Sequence, residues 1–159
     1  GDIVCSTSLK VAGNRFTQLI LDYLRKYRKL AIGEQMAEEV KIRIGSALPL
    51  EVPLTMQVSG LALESGLPVS VEVNSNEIES ALRASVDEIV RAVRTVLEIT
   101  PPELAADIVQ RGIVMTGGGA LLKNFDVRLR NELQIPVYVA ENALRCVVDG
   151  CSIMLEQLH

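Results

Sequence analysis

Apolar residues recur along this chain with two different periods, and the switches between them mark out the elements. From Asp2 to Ala12 the pattern alternates in part and predicts a strand, ended by Gly13. Beyond it Phe16, Leu19, Ile20, Tyr23, Leu24 and Tyr27 recur every three or four residues, so a helix is expected from Asn14, with Asn14 as its N-cap. A second helix is read from Gly33 to about Ile44, with Met36, Val40 and Ile44 on one face and Glu38 and Lys41 together on the other. Pro49 and Pro53 break the helical signal, after which Thr55 to Leu63 and Leu67 to Val73 read as a small antiparallel hairpin around Glu64-Ser65-Gly66. Ser75-Asn76-Glu77 opens a long helix in which Ile78, Leu82, Val86, Ile89, Val93 and Val96 keep helical spacing and charges take the remaining face. On this pattern Ile89→Asp would bury an unpaired charge at a cost of several kcal/mol, whereas Arg83→Asp would be mild. Pro101-Pro102 ends the helix and opens another. A strand at Ile113, a helix from about Asn124 to Glu132, a strand from Val137 to Ala140 and a helix from about Asn142 to Leu158 complete the expected order.

The alternation of strand and helix after residue 100 implies a parallel α/β unit, and the hairpin flanked by helices implies a separate small α+β lobe. The chain is therefore read as one discontinuous α/β domain, residues 1–12 and about 81–159, carrying an inserted lobe of about 13–80. With 159 residues, 48% of them hydrophobic, it can bury one sizeable core or two small ones. Its net charge of −4, with basic residues scattered apart from Arg25-Lys26-Tyr27-Arg28-Lys29, leaves no broad basic face for nucleic acid. Cys5, Cys146 and Cys151 show no CxxC spacing and His159 is the only histidine, so buried thiols are expected rather than a disulfide framework or a metal site. No signal peptide and no apolar run of about 18 residues is present, so no bilayer-spanning segment is expected.

Candidate chemistry gathers at Ile113-Val114-Met115-Thr116-Gly117-Gly118-Gly119-Ala120-Leu121-Leu122, where a β-branched run feeds three glycines and then an apolar helical start. Without Cβ atoms, such a turn lets a purine or ribose lie against the main chain. The triplet alone equally suits a plain strand-to-helix turn, since its spacing is neither GxGxxG nor the lysine-containing P-loop. By spacing, Glu38 and Lys41 are first a surface i,i+3 ion pair, worth only a few tenths of a kcal/mol.

Their surroundings are more specific. Thr100-Pro101-Pro102-Glu103-Leu104-Ala105-Ala106-Asp107-Ile108 precedes the glycines, and Lys123-Asn124-Phe125 and Gln134-Ile135-Pro136-Val137-Tyr138-Val139-Ala140 follow them. Earlier come Val11-Ala12-Gly13, Ile32-Gly33-Glu34, Ala37-Glu38-Glu39-Val40-Lys41-Ile42, Ile44-Gly45-Ser46-Ala47 and Asn74-Ser75-Asn76-Glu77-Ile78. In this order the motifs resemble the C-terminal part of MreB, the bacterial member of the actin/Hsp70 superfamily, over essentially the full chain. The resemblance implies a partial actin-like (ribonuclease H-like) domain, with residues 1–12 and 81–159 similar to subdomain IIA and residues 13–80 to subdomain IIB. It further implies an adenosine gripped between the glycine loop and a helix of the inserted lobe. Gly117, Gly118 and Gly119 would line base and ribose, Leu121 and Leu122 would lie beside the adenine, and Gly13 would lie near the phosphates. Glu38 would meet ribose hydroxyls and Lys41 the sugar or base.

The chain departs from the family pattern at Asn14 and Thr17-Gln18, where MreB proteins commonly carry carboxylates, which removes support for metal-linked or hydrolytic chemistry. The family's Asp-Gly-rich phosphate hairpins and its water-activating acid have no counterpart in this sequence. Phosphoryl transfer depends on positioning and charge stabilisation around the γ-phosphate, so no catalytic residue is assigned and no ATPase activity is expected of this chain. ATP or ADP with Mg is implied for an intact parent, with none held tightly by the fragment. The implied partners are further copies in a filament and the cell-shape and wall-synthesis proteins. The implied location is the cytoplasmic face of the bacterial membrane, contacted only through the missing part. A fragment of an Hsp70-type or sugar-kinase-type ATPase is the alternative, and a free-standing interaction module is more distant; Ile44-Gly45-Ser46-Ala47 and Thr100-Pro101-Pro102-Glu103-Leu104 favour MreB. Finally, the resemblance leaves a gap of two strands between residues 2–12 and Ile113–Thr116. The first strand is thus expected to re-pair within the chain or to join a neighbour, rather than to sit in a native-like monomer.

Overall fold

The computed structural model describes residues 3–6, 10–116, 122–140, 145–148 and 151–154. Its elements in chain order are β1 (Ile3–Ser6), α1 (Lys10–Tyr27), β2 (Leu30–Ala31), α2 (Glu34–Ile44), β3 (Thr55–Ala62), β4 (Pro68–Asn74) and α3 (Ser75–Glu98). There follow α4 (Pro102–Arg111), β5 (Ile113–Thr116), α5 (Phe125–Leu133), β6 (Val137–Ala140), β7 (Arg145–Val148) and β8 (Cys151–Met154).

Two segments differ from their sequence-based reading. Helix α1 already begins at Lys10, so Lys10 to Gly13 are helical and Asn14 lies inside the helix instead of capping it. Once a helical nucleus exists, each added residue brings one more backbone bond, which outweighs the roughly 1 kcal/mol penalty of an internal glycine. The expected helix over 142–158 is replaced, where described, by β7 and β8, paired antiparallel with Cys146 opposite Ile153 and Val148 opposite Cys151.

The larger sheet has the order β1-β8-β7-β5-β6. Strands β5 and β6 are parallel, with Ile113 opposite Val137 and Thr116 opposite Ala140, and β1 runs parallel to β8 from the Ile3–Cys151 pair to Ser6–Met154. The expected gap between the first strand and Ile113–Thr116 is filled by β7 and β8, and the first strand re-pairs within the chain. The smaller sheet, β2-β3-β4, is antiparallel. Along β3, Met56 and Val58 are buried while Thr55, Gln57 and Ser59 face outward, the period of two that the hairpin pattern anticipated. Strand β2 has only two residues, too short for any periodic signal.

Helix α3 starts with a reciprocal cap. The Glu77 amide donates to Asn74 Oδ1 (2.9 Å) and the Asn74 amide donates to Glu77 Oε2 (3.1 Å). Its stripe of Ile78, Leu82, Val86, Ile89, Val93 and Val96 is buried, as the spacing required. Against it pack Phe16, Ile20 and Leu24 of α1, and the Phe16 ring meets Phe125 of α5 at 6.5 Å between centroids, inclined by 52°. Helices α1 and α3 run antiparallel: Arg15 pairs with Glu88 at 3.3 Å near one end, and Arg28 with Glu77 at 3.4 Å near the other.

Candidate functional site

Helix α2 is short and carries Glu34 in its first turn and Lys41 and Arg43 in its last, charges that complement the helix dipole. Ala37, Val40 and Ile44 bury one face, and Lys41 is buried with them at 3% exposure. The spacing had placed Lys41 on the outer side with Glu38; in the structure its side chain is buried instead. The ammonium turns back to Glu38, with Nζ 2.9 Å from Oε1, while Thr17 Oγ1 of α1 donates to Glu38 Oε2 at 2.8 Å. Burial pushes the Glu38 carboxyl up, but the donors from Lys41 and Thr17 and the Lys41 charge outweigh it and hold the group below its ordinary value of 4.5. The Glu38 side chain remains 43% exposed, so the carboxylate is still open to solvent. With Asn14, Thr17, Glu34 and Gln35, it lines an open cleft of about 360 Å³ between α1 and α2. Such a lining of carboxylates and amides accepts hydrogen bonds from hydroxyl or amino groups and repels a bare phosphate.

The C-terminal end of α2 is tied to the residues that follow the glycine triplet. The Gly45 amide donates to the Lys41 carbonyl (2.9 Å), the Gly45 carbonyl accepts from the Lys123 amide (3.0 Å), and the Ala47 amide donates to the Lys123 carbonyl (2.8 Å). A Cβ at Gly45 would lie 2.3 Å from the Lys41 carbonyl oxygen and 3.0 Å from Leu122 Cδ2, so only glycine permits this approach. Leu122 is buried there, 2% exposed. Ser46, also buried, donates to the Leu48 carbonyl at 2.6 Å and stiffens the turn out of α2.

Of the residues expected in a site, the structure brings Glu38 and Lys41 into contact and joins Leu122 to the end of their helix. Gly13 lies in α1 four positions before Thr17 and so shares the helix side that faces the cleft. Gly117, Gly118, Gly119 and Leu121 lie outside the described residues. Thr17 as a donor to Glu38, and Gly45 as the close contact, were missed by sequence reasoning. The available signal for Thr17 was a hydroxyl beside the buried Phe16–Ile20–Leu24 stripe. Among the described residues, no cluster of three or more histidine, cysteine or acidic side chains is arranged to hold a metal ion, and no helix is long and apolar enough to cross a membrane.

Comparison with known proteins gives this geometry its context. A family model described as MreB/Mbl protein matches residues 1–159. The cell shape-determining protein Mbl of Bacillus subtilis is 48% identical over 158 residues, covering 99% of this chain and 47% of that protein. The cell shape-determining protein MreB of Escherichia coli is 46% identical over 156 residues, covering 98% and 45%. The chain thus spans about half the length of the curated relatives it matches. Among solved structures, MreB5 of Spiroplasma citri bound to ADP superposes with a TM-score of 0.79 at 34% identity, over 88% of this chain and 48% of that one. The MamK double helical filament, at 20% identity, a TM-score of 0.67 and coverage of 82% and 40%, shares the fold. These likenesses make the mixed helix-and-sheet architecture a partial actin-like α/β fold, and the match along its full length decides the family over the Hsp70-type and sugar-kinase-type alternatives: the chain belongs to the MreB/Mbl family of cell shape-determining, actin-like proteins.

Proposed function

We propose that this chain supplies the adenosine side of a nucleotide site, together with part of the polymer-forming surface, of an MreB-like cytoskeletal protein. The intact protein would bind ATP or ADP with Mg, assemble filaments at the cytoplasmic face of the membrane and act with cell-shape and wall-synthesis proteins. In the proposed division, residues 1–12 and 81–159 form the IIA-like unit and residues 13–80 the IIB-like lobe.

The observation that carries the reading is the Thr17–Glu38–Lys41 network. A carboxylate kept ionised by two donors, and still open on one side, suits the paired hydroxyls of a ribose. The Gly45–Lys123 tie supports it by anchoring the segment after the glycine triplet to the same helix. That a related MreB5 has been solved with ADP adds weight. In this proposal Glu38 accepts from the ribose, Lys41 and Thr17 hold Glu38 in place, Gly117, Gly118 and Gly119 offer backbone to the base, and Leu121 and Leu122 flank it. Bound Mg-ATP would bring the phosphates and their counter-charge. The chain's own contribution toward them is confined to the Gly13 end of the cleft, where Asn14 and Thr17 carry no charge. The chain alone is therefore proposed to be non-catalytic, the parent being at most a slow ATPase.

Isothermal titration with Mg-ATP tests this. Weak binding, in the millimolar range or below detection, is expected. Millimolar binding that is lost on Gly118→Val or Glu38→Ala supports a residual adenosine pocket. Submicromolar affinity would overturn the half-site reading.

A further inference from the structure

The two sheets treat their outer edges differently. In the small sheet β4 is an edge strand, paired with β3 alone. The Ala62 amide donates to the Leu67 carbonyl, so the odd-numbered residues along β4 turn their backbone groups toward β3, and Pro68, Ser70 and Glu72 turn theirs outward. Pro68 has no N–H, and the Arg28 guanidinium donates to the Glu72 carbonyl at 2.6 Å. Only Ser70 is left with both groups open. A proline and a capping arginine thus keep a further strand from adding at this edge.

The β6 edge of the larger sheet has no such guard. Strand β6 pairs with β5 on one side, and among the described residues no strand lies on the other. The Ile113 amide donates to the Pro136 carbonyl at 2.9 Å, with Ile113 opposite Val137 in the parallel register. Backbone groups alternate in direction along a strand, so Pro136 and Tyr138 turn theirs to β5, while Val137 and Val139 direct N–H and C=O outward. The start of the pair is fixed at Gly112, whose φ is +86° and where a Cβ would come within 2.6 Å of the Pro136 carbonyl oxygen.

Beside this edge lies an open cleft of about 720 Å³, lined by Ile135, Pro136 and Val137, by Tyr138, and by Asp126 and Arg130 of α5. Val137 is buried and Tyr138 is 55% exposed, as expected for neighbours on opposite faces of a strand. The cleft therefore borders the edge from both faces. Arg130 donates to Asp126 at 2.6 Å, so these two charges satisfy each other. A charged side chain brought into the cleft would lose water and meet no free counter-charge.

The geometry points to strand addition: the β6 edge takes an extended, uncharged segment of a partner protein, hydrogen-bonded to the backbone of Val137 and Val139, with its side chains in the adjoining cleft. A second copy of this chain suits the place less well. Two four-residue edges meet over only about 13 Å, at about 3.3 Å per residue, which falls short of the roughly 1,000 Å² that a lasting interface buries. A flexible segment fills edge and cleft together, whereas a second β6, with its own α5 beside it, reaches the edge alone. The segment runs antiparallel, the more stable ladder per residue. Its residue opposite Tyr138 shares that face, where an aromatic or β-branched side chain packs on the ring, and its residue opposite Val137 is β-branched. The inference is independent of the nucleotide reading and of filament assembly.

Amide hydrogen exchange read by NMR, with a short capped peptide alternating valine and threonine and carrying a lysine at each end for solubility, provides the test. Saturating peptide is expected to slow exchange at the Val137 and Val139 amides about tenfold or more and to leave Tyr138, whose amide already faces β5, unchanged. Val139→Pro removes one outward donor at a position where an edge strand tolerates proline, and should weaken binding about tenfold. Circular dichroism checks that this variant is folded. Independently of it, the same peptide with N-methyl groups on the amides that face β6 should lose binding to the wild type. No binding at millimolar peptide overturns the proposal, as does protection at β4 instead of β6, or binding that survives both Val139→Pro and N-methylation. Slow exchange at Val137 and Val139 without peptide also overturns it. If that protection grows with protein concentration, the occupant is a second copy; if it is independent of concentration, the chain covers its own edge.

Discussion

The Arg83→Asp substitution separates sequence logic from structural logic most sharply. By spacing, Arg83 stands on the solvent face of α3 and its reversal should be mild. In the structure it is the partner of a buried carboxylate: Glu79 is only 4% exposed, and Arg83 holds it with two hydrogen bonds, Nε to Oε1 at 2.9 Å and Nη2 to Oε2 at 2.6 Å. Removing one member of a buried pair leaves an uncompensated charge and costs about 3–5 kcal/mol when the site is fully dry. The guanidinium itself is 55% exposed, so water reaches that side and the cost falls to about 2–3 kcal/mol. The new aspartate, one turn from Glu79, adds a few tenths through like-charge repulsion. For a chain of this size the total lowers the melting temperature by about 4–12 °C. Urea unfolding followed by far-ultraviolet circular dichroism, with linear extrapolation, measures it. The reference is Ile89→Asp, which places a charge at a 6% exposed core position and should cost about 3–5 kcal/mol. Replacing both Glu79 and Arg83 by leucine should recover most of the loss, since no orphaned charge remains. An Arg83→Asp variant within about 0.5 kcal/mol of wild type would refute the reasoning.

Two other outcomes follow from the site. Gly45→Ala should destabilise by about 1–3 kcal/mol through the Lys41 carbonyl clash and speed hydrogen exchange at the Lys123 and Ala47 amides; unchanged exchange would mean the tie between α2 and the post-glycine segment is not held by that approach. Because the folded pKa of Glu38 is lowered, the stability contributed by its network is present above the unfolded value near 4.5 and is lost as pH falls through the folded value. Thr17→Val should raise the Glu38 pKa toward its ordinary range and flatten this acid limb, which a carboxyl carbon NMR titration reads; an unmoved titration would show that the Thr17 bond does not hold the carboxylate.

Much of this protein is set by local pattern. The stripe Ile78 to Val96 specifies α3 and its buried face, because a 3.6-residue period sustained over five turns has one solution. The alternation from Thr55 to Val73 specifies the hairpin and its outward residues, and the ordered motifs around Gly117-Gly118-Gly119 point to the family. Where local signals were weak, partners far along the chain decided. Lys10 to Gly13 join α1 because the helix beyond them is already formed, and Arg145–Val148 and Cys151–Met154 become strands because β1 and β5 offer them hydrogen bonds on both sides. The same holds at the site. Spacing could put Glu38 and Lys41 one turn apart, but it could not show that Lys41 is buried, that Thr17 reaches Glu38 across 21 positions, or that Gly45 meets Leu122 and Lys123. Periodicity reports which face of an element is apolar; the identity of what lies against that face is a property of tertiary packing, and the chemistry of the cleft depends on that second fact.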